Sequence, residues 1–219
     1  MQRGAGRPRP LASAKRLAYA RPILLRGRDL RMSGIVDSFR SFEGRIARKG
    51  FWLGVLVLAL LAIVLTLLLA PLMSGDFLQR AMILFEQPDY DGAEASALML
   101  EAAQRGAWAS LVVNLIIGYP ALALMVKRRH DRNSSGADAI VLYALTLLGL
   151  ALQSVGIGNE IVAFEDGLVV APTLPLIALN IVTGLLGLYL FIVMGFLKGT
   201  AGPNRYGPDP LAPTQQDAR

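Results

Sequence analysis

Hydrophobic positions in this chain come in long unbroken runs. No Asp, Glu, Lys, Arg or His interrupts Gly50–Ser74, Gly106–Val126, Ala139–Gly158 or Gly167–Leu197. At about 1.5 Å of helical rise per residue, each run reaches across a hydrocarbon core of about 30 Å. Four transmembrane helices are predicted, roughly Phe51–Met73, Ala107–Val126, Ala139–Gly158 and Val170–Leu197. Small and polar residues recur on one face of three of them: Ser110, Asn114, Gly118 and Ala121, then Thr146, Gly149, Gln153 and Gly156, then Asn180, Gly184 and Gly187. Such faces let helices approach and bond across the contact, or else line a polar path. No ionisable residue lies in any span, which argues against proton-driven transport and leaves a passive route open.

The segments between the runs carry amphipathic patterns. Ile35, Phe39, Phe42 and Ile46 recur at helical spacing between Arg40, Arg45, Arg48 and Lys49. This predicts an interfacial helix before the first span, with Trp52 at the membrane boundary. Phe77, Leu78, Ala81, Met82 and Phe85 form a stripe after Ser74 or Asp76, predicting a second amphipathic helix in the first loop. Pro88–Gly92 is turn chemistry, and Glu101 and Arg105 stand four apart, so the second span begins as a helix outside the membrane. The fold class is an all-α membrane protein, a bundle of four transmembrane helices with these two additions. Its parts are a basic tail at 1–31, the interfacial helix at 32–50, the four-span domain at 51–197 and a C-terminal motif and tail at 198–219. Two readings stand for residues 1–31: a disordered tail, or an over-extended start ahead of Met32.

Composition agrees with a membrane class. The chain is 54% hydrophobic and 17% charged, against about 25% charged in soluble domains. Of its 22 Lys and Arg residues, 20 lie in segments 1–50, 127–138 and 198–219. The positive-inside rule places those segments, and so both termini, in the cytosol. Basicity of this kind fits contact with anionic lipid head groups, and no aromatic-interleaved basic patch points to nucleic acid. There is no cysteine and one histidine, His130. Thiol chemistry and sites needing paired imidazoles are excluded. Neither a phosphate-binding Gly-Lys-Ser/Thr loop nor a Gly-x-Ser-x-Gly elbow is present. No enzymatic activity, cofactor or metal is expected.

Three polar motifs flank the spans on the side assigned to the cytosol. They are Phe42-Glu43-Gly44-Arg45-Ile46-Ala47-Arg48-Lys49, then Arg128-Arg129-His130-Asp131 running on to Ser135-Gly136, then Gly202-Pro203-Asn204-Arg205-Tyr206-Gly207. The second reads as a tight polar turn between two spans. Asp131 suits a bidentate guanidinium from Arg45, Arg48 or Arg205, with Arg45 or Arg205 the expected partner and Tyr206 packed nearby. The unperturbed pKa of a histidine is near neutrality, so His130 is a candidate pH sensor. The candidate binding surface comprises Arg45, Arg48, Arg128, Arg129, His130, Asp131, Asn204, Arg205 and Tyr206, acting on lipid or on a protein partner. The plainer reading of the same residues is a structural staple.

Gly44-Arg45, Arg48 and Phe51-Trp52, followed by Arg128, His130-Asp131 and Ser135-Gly136, then Gly202 to Pro210, resemble the bacterial inner-membrane family called domain of unknown function 805 in residue type and order. The resemblance covers about Phe42 to Pro210. It implies an integral protein of the cytoplasmic membrane and no particular activity. Asn133 stands where the family often has Gly, Ala137-Asp138 replaces aromatic residues, and the 74–106 loop is longer than usual. The functional expectation is a binding or accessory protein acting through the three-motif surface; the alternative is a small-solute transporter or channel.

Overall fold

The computed structural model describes residues 38–87, 92–164 and 167–212. Expectations for residues 1–37, including the basic tail and Met32, and for the turn at 88–91 lie outside the described residues. The described elements are α1 (Arg48–Ser74), α2 (Phe77–Glu86), α3 (Gly92–Asp131), α4 (Ala137–Ser154), β1 (Asn159–Phe164), β2 (Gly167–Pro172) and α5 (Leu174–Gly195). Helices α1, α3, α4 and α5 are long and apolar enough to cross a membrane. Leu56, Leu60, Leu67, Leu185 and Leu188 face outward, as a lipid-facing bundle surface requires.

The bundle core is small. Phe51, Leu58, Leu124, Ala139, Leu190 and Met194 meet in one buried cluster drawn from all four long helices. Close approach comes from small residues. A Cβ at Gly54 would lie 2.6 Å from Leu124 Cδ1, and one at Gly118 would lie 1.8 Å from the Tyr143 hydroxyl. The open space at Gly118 lets Tyr143 donate to the Asn114 carbonyl at 3.0 Å, joining α4 to α3. Other span polar groups bond within their own helix: Asn114 to Ser110 O, Thr146 to Leu142 O, Gln153 to Gly149 O and Thr183 to Leu179 O.

Helix α3 has 40 residues, so at about 1.5 Å per residue it is about twice as long as the hydrocarbon core is thick. Its first turns stand outside the apolar run, as the Ala/Leu-rich segment before Gly106 predicts. There α2 lies against it through Leu84, with Phe77 and Ala81, on Ala95 and Leu98. Leu78 and Met82 face away and are exposed. The predicted stripe therefore divides between a protein-facing side and an outer side. Arg80, Asp76, Glu101 and Arg105 form a ring of ion pairs between the two helices, with Arg105 to Glu101 at 2.6 Å and Arg80 to Glu101 at 2.7 Å.

Three sequence expectations change. The fourth span starts at Leu174 rather than Val170, because Asn159–Phe164 and Gly167–Pro172 pair as antiparallel strands, Asn159 with Pro172 and Ile161 with Val170. The β-branched runs Ile161-Val162 and Val169-Val170 favour strands, and Thr173 ahead of Leu174-Pro175 marks the helix start. The interfacial helix is not continuous: Ser38–Arg40 is helical, and residues 41–47 run without helix. That stretch is strapped along α3 instead, with Lys127 donating to Ser38 O, Tyr119 to Arg40 O, and Phe42 edge-on to Tyr119. The third change concerns Arg128 to Asp131, which form the last turn of α3 rather than a loop. The turn follows, at Arg132 to Gly136.

That turn explains the residue at position 133. Ser134 N–H donates to Arg129 O and Asn133 N–H to His130 O, the paired bonds that end a helix with a left-handed residue between them. Asn133 holds that conformation at φ 59°. Glycine serves equally there, and Asn is the side chain that tolerates it best. Asn133→Gly is therefore expected to leave the unfolding temperature in detergent almost unchanged. Asn133→Val is expected to cost about 1–2 kcal/mol; equal stability of the two variants would contradict this reading of the turn.

Candidate functional site

The N-terminus of α1, the C-terminus of α3, the N-terminus of α4 and the C-terminus of α5 meet at one end of the bundle, where the three motifs converge. Helix ends leave carbonyls without intrahelical partners. The sequence meets that demand reciprocally. Arg128, on α3, donates from Nε to Met194 O at 2.7 Å and from Nη2 to Leu197 O at 2.6 Å, capping α5. The chain leaving α5 caps α3 in return. Thr200 donates to Asp131 O from its backbone N–H at 2.8 Å and from its hydroxyl at 3.0 Å. Asn204 Nδ2 donates to His130 O at 2.9 Å.

Asp131 is the charge centre of this end. One carboxylate oxygen accepts Arg45 Nε at 3.1 Å and lies 3.0 Å from Arg45 Nη2; the other accepts Arg128 Nη1. The side chains of Arg45 and Arg128 are each 1% exposed and that of Asp131 5%. Arg45 reaches on to Gly202 O at 2.7 Å and Thr200 O at 2.6 Å. Arg45 therefore ties the first motif to the second and the third at once. Two guanidiniums share one carboxylate, and backbone carbonyls take the remaining donors, which is how buried cations become tolerable.

The other candidate residues divide into a supporting set and a rim. His130 Nδ1 lies 3.2 Å from Gly44 O, and because a carbonyl only accepts, that nitrogen carries the proton. The imidazole stacks on Tyr206 at 3.8 Å between centroids and 7° between planes. Arg205 lies over the other part of that stack, 4.7 Å from the Tyr206 centroid, and donates to Asn133 O. It makes no pair with Asp131; of the two expected guanidiniums, only Arg45 takes that place, and Arg128 from the same helix takes the second. Arg129 turns to Asp138 at the start of α4, 2.6 Å away. Arg48 is exposed and uses one nitrogen on Phe196 O.

Residues outside the three motifs complete the site. Gly199 has no Cβ where one would stand 2.0 Å from Asp131 Oδ2, so the backbone passes directly over the buried carboxylate. Thr200 supplies the cap already described. Asp209 accepts the N–H groups of Leu211 and Gly202, both at 2.9 Å, closing the last turn. Those two backbone donors, Leu211 first, hold its carboxyl below the usual carboxylate range, with Arg45 assisting. The contribution to stability is complete above that usual range and is lost as pH falls through the lowered value. A cleft of about 380 Å³ opens beside the centre, lined by Arg48, Lys198, Ala201, Asp209 and Leu211 among others. Among the described residues no group of three or more His, Asp or Glu side chains converges.

The family model described as Protein of unknown function (DUF805) matches residues 39–208. The chain belongs to that family. Comparison with curated proteins and with solved structures finds no match. The DUF805 region begins in the strap ahead of α1 and ends one residue before Asp209. It therefore contains Arg45, Arg128, Asp131 and Gly199 together, the whole of the buried charge centre.

Proposed function

We propose that this DUF805 protein is a multi-pass protein of the bacterial cytoplasmic membrane, with both termini in the cytosol. It acts without catalysis, as a binding or accessory protein, through the surface the three motifs build. The observation that carries this reading is the division of the site into a buried centre and an exposed rim. The side chains of Arg45, Arg128 and Asp131 are at most 5% exposed and are engaged with one another and with backbone carbonyls, so their role is to fix the surface. Arg48, Lys49, Lys198 and Arg205 stand exposed around it, a cationic rim suited to anionic head groups. The alternative, a transporter or channel, has less support. The side chains of Asn114, Thr146 and Gln153 bond to carbonyls of their own helices, and a groove between the spans is lined by apolar side chains.

Orientation is checked by reporter fusions. Fusions after Arg132 and Pro210 are expected to report cytosol, and fusions after Gln87 and Glu160 the outside; an inside signal at Gln87 would overturn the map. The binding surface is tested by a photo-reactive side chain at Ala201, on the cleft rim. It is expected to give a discrete adduct in the cell membrane, with a yield that falls several-fold on Lys198→Glu. An adduct pattern the same as that from a photo-reactive side chain at the exposed Ile140 would remove the surface from consideration.

A further inference from the structure

The cleft at the charge centre does not end there. Arg48 lines both it and a second hollow, bounded by Arg48, Lys49, Trp52 and Gly195. Trp52 lines that hollow and also an apolar groove of about 360 Å³ between α1 and α5. The three therefore adjoin in order, with Arg48 as the wall shared by the first two and Trp52 as the wall shared by the last two, cationic at one end and apolar at the other. The groove is walled by Leu58, Ala59 and Ala62 of α1 and by Leu190 and Phe191 of α5, with Leu124 of α3 as its floor. It exists because α1 packs tightly on α3 through Gly54, while its described bond to α5 is made by Trp52 at the cationic end. There the indole N–H donates to Gly195 O at 3.2 Å, and the absence of a Cβ at Gly195 admits the ring.

From Phe51 to Ala62 the groove wall is about 16 Å long at about 1.5 Å of rise per residue, the depth of one leaflet of a core about 30 Å thick. Trp52 sits at the level where interfacial aromatics belong, with Phe191 and Phe196 edge-on to it. Above it, Lys49 and Lys198 are exposed and form no ion pair among the described residues, and Arg48 keeps nitrogens not used on Phe196 O. Two carboxylates line the adjoining cleft, and both are engaged: Asp131 is held by Arg45 and Arg128, and Asp209 accepts two backbone N–H groups. An unpaired cationic mouth over an apolar slot one leaflet deep matches a single amphiphile with an anionic head.

We propose that this edge of the bundle holds one anionic phospholipid, its phosphate on Arg48 and Lys49 with Lys198 across the cleft, and one acyl chain in the α1–α5 groove. This rests on the reading of the rim as a lipid-binding surface and adds the seat for the chain. The test uses the full-length protein in mild detergent, supplied with phosphatidylglycerol or phosphatidylcholine, with retained lipid counted by native mass spectrometry. Wild-type protein is expected to keep one phosphatidylglycerol and to release phosphatidylcholine. The double change Arg48→Gln with Lys49→Gln is expected to lower retention about thirtyfold. Ala59→Phe with Ala62→Phe, which fills the groove and leaves the cations in place, is expected to lower it about tenfold. Retention by wild type is also expected to rise with acyl-chain length, a reading that needs no variant. A drop with the cation changes alone, with no dependence on groove filling or chain length, would overturn the chain seat while leaving the surface reading intact. No drop with either pair would overturn both. Displacement of the lipid by millimolar inorganic phosphate would make this a free-phosphate site and overturn the proposal.

Discussion

Asp131→Asn is expected to free residues 198–212 from the bundle end while the four spans still insert. The substitution keeps the size of the side chain and removes the one negative charge between two guanidiniums that are each 1% exposed. An amide oxygen still accepts one bond, but the amide nitrogen then points N–H groups at a guanidinium that only donates. Breaking a buried pair in this way leaves an uncompensated charge and costs about 3–5 kcal/mol. That loss falls on the parts Asp131 joins. Arg45 no longer has a reason to leave water, so its bonds to Thr200 O and Gly202 O weaken with it. Insertion of the spans depends on their apolar length and is untouched. Hydrogen exchange and limited proteolysis of the variant in detergent should show the segment after α5 opening, with the helices still protected. Native-like protection at Thr200 and Gly202 in the variant would mean that the three motifs are held together by something other than this carboxylate.

Much of this was legible in the chain because membrane physics writes in long runs. Uncharged stretches marked every span, and the 74–106 segment announced its two helices through the stripe containing Phe77 and Ala81 in one half and the Glu101-Arg105 pair in the other. The meeting of the three motifs was legible too, since Asp131 needed a cation and Arg45 was available. The error over Arg128 to Asp131 has a physical source. Four ionisable residues in a row resemble a loop, because a helix end in an apolar setting does not usually carry so much charge. Partners such as Met194, Leu197, Ile46 and Gly44 are backbone carbonyls lying 66 or more positions away along the chain. Carbonyls have no sequence signature, so a site built from capping bonds stays invisible until the helix ends are in place.

The strand pair was hidden for a different reason. Val170 and Ala171 extend the apolar run that becomes α5, and hydropathy does not separate a strand from a helix when both are apolar. The strap at 41–47 shows the converse case. Ile46 and Phe39 keep the apolar periodicity of a helix and both pack on the core cluster, yet Gly44 at φ 90° breaks the helix between them. A φ of that sign is reached freely only by glycine, and the turn it makes is what brings Gly44 O to His130 and the Arg45 side chain to Asp131.

Gly199→Ala should be nearly as damaging as the loss of Asp131, although it adds a single methyl group to a residue outside all three motifs. The new Cβ would stand 2.0 Å from Oδ2 and 2.5 Å from Cγ of a carboxylate that two guanidiniums hold from the other side. The carboxylate has little room to retreat, since moving it lengthens the bonds to Arg45 and Arg128 together. The backbone cannot lift away without giving up the Thr200 bonds to Asp131 O. Overpacking of this kind costs about 1–3 kcal/mol in ordinary cores, and the upper end applies where the crowded atom is a fixed charge. The cause is open to a direct check, because Asp131→Ala removes the obstructing atoms. In that background Gly199→Ala should cost little further stability, giving a coupling of about 1–3 kcal/mol between the two positions in thermal unfolding of the purified protein. If the two losses simply add, the glycine serves chain flexibility, and the close passage of the backbone over Asp131 is not what demands it.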